Sequence, residues 1–127
     1  MKKLSIATAL CLVAYATSAA AETKIWQVTE ETDAGIKYGQ GSWKVTKDGD
    51  KVSGTAEIMD DVGNVVTYKL DGTFAGTNYT VNLVDRSDKR KGCVWNGHTP
   101  SPSGVQTKGL AGWAQCEGVK IIIRAYD

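Results

Sequence analysis

From about residue 22 onward, apolar and polar side chains alternate with a period of two, and no stretch keeps a helical period. Val66, Tyr68, Leu70 and Phe74 share one face of a segment whose other face carries Thr67, Lys69, Asp71 and Thr73. Tyr79, Val81 and Leu83 repeat the pattern, as do Val119, Ile121 and Ile123. One wet and one dry face per strand is the mark of antiparallel sheet. Turn formers punctuate the runs: Asp48-Gly49, Asp60 to Asn64, Ala75 to Asn78, Ser87 to Gly92, the long stretch Thr99 to Gln106, and Glu117-Gly118. The spacing predicts strands at 24–31, 39–47, 51–59, 64–74, 78–86, 92–98, 107–116 and 119–126.

Short connections make sequence neighbours into sheet neighbours. The expected fold is therefore all-β, a small eight-stranded antiparallel meander. Closing it into a barrel removes both exposed edges, and eight strands enclose an interior that side chains can fill. A β-sandwich is the alternative. A membrane barrel is excluded by its faces, because the polar positions carry Lys44, Glu57, Lys69 and Asp71 where lipid would demand apolar groups.

The start of the chain differs in kind. Met1-Lys2-Lys3 precedes an uncharged apolar run from Leu4 to Thr17, and Ala19-x-Ala21 offers the small residues of a signal-peptidase site. Residues 1–21 are expected to be a Sec signal peptide, and 22–127 a single domain, periplasmic or secreted. The uncharged run is short for a membrane span. Cys11 leaves with the signal, and Leu10 before it argues against lipidation.

The remaining cysteines, Cys93 and Cys116, are then an even pair in a compartment that permits disulfides. With a single histidine, His98, they fall short of a zinc set, so no metal and no cofactor is expected. The pair also sets a register. Opposed residues of a hairpin have positions of constant sum, and 209 for the cysteines centres the hairpin inside the Thr99–Gln106 loop. Asn96 then opposes Trp113, and His98 opposes Ala111.

Charge adds little. The whole chain has 15 basic and 14 acidic residues, and losing Lys2 and Lys3 leaves a net charge of −1. Such a balance makes no case for nucleic acid or an anionic membrane. Catalytic signals are equally sparse. His98 has Ser101 and Ser103 nearby but no Gly-x-Ser-x-Gly elbow. Asp60, Asp61 and Asn64 suit a turn better than a calcium loop. Arg86, Lys89, Arg90 and Lys91 are interrupted by Asp85 and Asp88, which reads as a solvated hairpin tip.

The tryptophans Trp26, Trp43, Trp95 and Trp113 stand out. Trp95 shares parity with Cys93, whereas Trp113, Asn96 and His98 have the opposite parity. If the cysteines face inward, those three form an outward patch, the best candidate for a binding surface.

Gly41-Ser42-Trp43 together with Arg124 resembles the calycin barrels, the lipocalins and avidins. There a Gly-x-Trp tryptophan from an early strand packs against a basic side chain from late in the chain. The resemblance implies a cup-shaped ligand-binding barrel with Trp43 and Arg124 closing one end. One departure is that a strand precedes the motif here. The functional expectation is a non-enzymatic exported protein that binds a small apolar ligand or an envelope protein. The alternative is an inhibitor of a secreted hydrolase of protease or lysozyme type, presenting the 99–106 loop.

Overall fold

The computed structural model describes residues 21–100, 103, 106 and 108–126. The expected signal peptide falls almost wholly outside these residues, as does half of the 99–106 loop. The described chain forms β1 (Glu22–Thr32), β2 (Lys37–Asp48), β3 (Lys51–Asp60), β4 (Val65–Ala75), β5 (Asn78–Val84), β6 (Cys93–His98), β7 (Leu110–Cys116) and β8 (Val119–Tyr126). Each strand pairs with its neighbour in sequence, and β1 pairs with β8, giving a closed eight-stranded antiparallel barrel. The meander and its closure are as the alternation predicts, and the sandwich is ruled out.

Differences from the predicted strands are local. β1 is longer than its own alternation shows, because β2 pairs with it from Glu22 to Glu31 and β8 from Gln27 to Thr32. β7 starts only at Leu110, so the connection from β6 is the longest in the barrel. Val119 shares the parity of Ile121 and Ile123 but sits beside the Glu117-Gly118 turn and is 54% exposed.

Cys93 and Cys116 are joined across β6 and β7, with Asn96 opposite Trp113 and His98 opposite Ala111. The register inferred from the cysteines holds throughout this hairpin. The disulfide suits an oxidising compartment outside the cytoplasm.

The interior is filled by aromatic side chains. Trp43 and Trp95 meet edge to face with centroids 5.0 Å apart, and both are fully buried. Tyr68 lies on one side of this pair and Tyr79, with Phe74 and Trp26, on the other. The Trp95 indole lies over Gly97, where even a methyl group would sit 2.0 Å from its ring carbon Cη2. Glycine at 97 is what leaves room for the ring.

The 33–36, 61–64, 85–92 and 117–118 connections ring one end of the barrel, here called the mouth. The remaining connections and both ends of the described chain ring the base.

Candidate functional site

Two places gather polar chemistry, one inside the mouth and one on the outer wall.

At the mouth, Glu30 shares the inward parity of Trp26 and Val28 and is only 4% exposed. Its carboxylate is tied down by a chain of donors. The Trp43 indole N–H donates to the Tyr68 hydroxyl, which donates to Glu30 Oε1, each over 2.9 Å. Tyr38 bonds the same carboxylate. It can do so because the β1–β2 register slips between Glu30 and Glu31, leaving Tyr38 as an extra residue without an opposite number.

Arg86 corrects the solvated-tip expectation for the basic cluster. Its side chain is 4% exposed, and its guanidinium carbon lies 4.7 Å from the centroid of the Tyr68 ring. Nε and Nη2 donate to the two oxygens of Asp88 at 2.9 and 2.8 Å, a bidentate pair. Arg90 remains half exposed at the rim, 3.9 Å from Asp88. Between these groups lies a cleft of about 400 Å³ floored by Glu30, Ile58 and Val66 and edged by Tyr38, Asp61 and Arg90.

Burial pushes the Glu30 carboxyl above the usual carboxylate range, and the Tyr68 hydrogen bond and Arg86 charge offset this only in part. Burial likewise raises the Tyr38 and Tyr68 phenols, helped by the adjoining carboxylate. The Arg86 hydrogen bonds hold Asp88 below its ordinary value. Burial works against the Arg86 charge, but Asp88 outweighs it. The result is an acid and two phenols braced against an arginine that already has its own counter-ion.

A carboxyl that holds its proton more tightly folded than unfolded favours folding at low pH. That contribution is lost as pH rises from the ordinary carboxylate value through the raised one. Glu30→Gln keeps an oxygen for Tyr68 and removes the buried charge. It should therefore melt at or above the wild-type temperature at pH 8, with the advantage shrinking as pH falls toward 4. Melting curves across that range are the check. A variant that loses most stability at high pH would show that Arg86 already compensates the charge in full.

The outer wall holds the three residues singled out by the sequence. Trp113, Asn96 and His98 all face outward, Asn96 directly beside Trp113 and His98 one row away. Trp113 is 39% exposed and turns a face outward, with Lys120 Nζ 3.8 Å above its centroid. His98 Nδ1 lies 2.9 Å from the Thr99 carbonyl oxygen. Arg124, opposite Ala111 on β8, donates to Glu31 at 2.6 Å and to Gln106 at 3.1 Å. Gln106 in turn donates to the carbonyls of Lys108 and Leu110, which ties the end of the long connection to the wall.

Trp43 and Arg124 stand on opposite sides of the barrel wall: Trp43 points inward, Arg124 outward. The cation over an interior aromatic near Trp43 is Arg86 on Tyr68. No known family model, curated protein or solved structure matches the chain. Likeness to the calycins rests on Gly41-Ser42-Trp43 and Arg124 alone. Among the described residues, no group of three His, Cys, Asp or Glu side chains is placed to hold a metal ion.

Sequence reasoning did not single out Glu30, Tyr38 or Tyr68 as a polar site. A signal for Glu30 was present: it is an acid at the parity of Trp26 and Val28. Tyr38 carried none, since only the slip in pairing directs it toward the carboxylate.

Proposed function

We propose that this chain is a non-enzymatic binding protein, exported by a Sec signal to the periplasm or beyond, which meets its partner through the outer wall around Trp113. The carrying observation is the orientation of the tryptophans. Trp43 and Trp95 are spent on the core and Trp26 packs against it, whereas Trp113 stands outside on a rigid sheet. An exposed aromatic on a preorganised surface loses little freedom on binding. The filled interior favours this wall over an apolar ligand held inside the barrel.

Trp113→Ala should fold normally, with a melting temperature close to wild type, because its ring contributes little to the core. A photoreactive benzophenone side chain at position 113 should form adducts in the producing cell, while one at position 57 on the opposite side should not. Equal labelling from both positions, or unfolding of Trp113→Ala, would overturn the reading.

A second reading, inhibition of a secreted hydrolase, draws on the Arg124–Gln106 bond that braces the long connection beside this wall. Residual activity of a protease and lysozyme panel, titrated with the protein, tests it directly.

A further inference from the structure

The outward positions of β5 to β8 form three rows across the sheet. One row runs Thr80, Asn96, Trp113, Ile122; its neighbours run Asn78, His98, Ala111, Arg124 and Asn82, Val94, Gln115, Lys120. Not one of these twelve positions is a carboxylate. Of the two full cations, Arg124 is neutralised by Glu31 and Lys120 is parked on the indole. The opposite wall is different, with Lys44, Glu57, Lys69 and Asp71 exposed on β2 to β4. The barrel therefore has one side of mixed exposed charge and one side without carboxylates, where four amides and a threonine hydroxyl surround Trp113 and both cations are already engaged.

Resting on the wall reading above, we propose that this face binds a neutral saccharide chain, with Trp113 as its stacking platform and Asn96, Gln115 and Asn82 as hydroxyl-binding groups. Sugar hydroxyls both donate and accept, and a carboxamide side chain offers both capacities without charge. The electron-rich face of an indole attracts the polarised C–H groups on one side of a pyranose, as it attracts the Lys120 ammonium. That lysine holds an exposed site at modest strength, so a ring can displace it and still meet its donors. With strands spaced by roughly 4.8 Å, Asn96 lies one strand from Trp113 and Asn82 two strands away in the next row. Gln115 stands two residues along Trp113's own strand, which leaves room for a short oligosaccharide lying across the sheet. An acidic or basic partner would leave the neutral amides unmatched; an uncharged polyhydroxylated chain uses them.

The test is a titration of the folded, exported protein with maltohexaose, cellohexaose, xylohexaose and hexa-N-acetylchitohexaose, followed by nitrogen–proton NMR. The Trp113 indole signal is assigned by its loss in Trp113→Phe. Saturable shifts are expected at the Trp113 indole N–H and at the Asn96 and Gln115 side-chain amides. Affinity should be nearly unchanged up to about 0.5 M NaCl, since no ion pair is involved. Trp113→Ala should weaken binding about tenfold or more, and the Asn96→Ala, Gln115→Ala pair should do so with Trp113 intact. Glu57→Ala on the opposite wall should have no effect. Silence from all four saccharides, or shifts confined to the mouth, overturns the inference. Polypeptide adducts from position 113 together with that silence would leave the wall as a binding surface and remove only the saccharide. Absence of both would overturn the two together.

Discussion

Trp95→Ala is expected to lower the unfolding free energy by about 3–5 kcal/mol, the range for emptying a large aromatic site in a packed core. Trp95 has no exposed surface, meets Trp43 at 5.0 Å and Tyr79 at 6.3 Å, and donates its indole N–H to the Ile123 carbonyl over 3.3 Å. Its loss opens a hole at the centre of the barrel. The surrounding strands are each paired on both sides, which limits how far they can collapse into it. For a domain of this length the loss is a large share of the total. Urea unfolding measures it, and a cost below about 1 kcal/mol would mean that the barrel relaxes freely around the void.

Gly97 supplies an internal control. In the wild type, Gly97→Ala forces a methyl group into the Trp95 ring and should destabilise clearly. With Trp95 already alanine, the same methyl enters empty space and should cost far less. The coupling between the two substitutions then reports the ring's placement independently of either single effect.

Replacing Cys93 and Cys116 together by alanine is expected to cost about 2–5 kcal/mol. The bridge closes a loop spanning 23 positions, for which chain entropy alone gives about 3 kcal/mol. Its position adds to this, because both residues are buried in the core and the connection they bracket is the longest in the barrel. Without the bridge, the β6–β7 pairing must hold that connection through its ladder alone. Stability in urea with and without reductant gives the same comparison without mutation. A midpoint unmoved by reductant, with both thiols shown to be free, would overturn the expectation.

The period-two alternation, the turn residues and the cysteine positions are local quantities. They were enough to order eight strands, to centre the β6–β7 hairpin and to place Asn96, His98 and Trp113 on one outward face. A hairpin of known centre has no further freedom, since one residue of slip would reverse every side chain. The strand boundaries were less well marked, because pairing with β2 at one end and with β8 at the other lengthens β1 beyond what its own residues announce.

What the sequence by itself determined was which side chains of a strand share a face. The tertiary structure alone decided which inward groups meet. Glu30, Tyr68 and Arg86 come from β1, β4 and the 85–92 connection, and no spacing along the chain encodes their encounter. Only the closed barrel with its slipped β1–β2 register brings Tyr38 to the same carboxylate. The charge of Arg86 reads as solvent-bound in a run of lysines and aspartates. It lies buried because Asp88 satisfies it and the Tyr68 ring lies beneath it. Local pattern sets which residues of a regular strand share a face, whereas the electrostatics of a buried group depend on distances that closure creates.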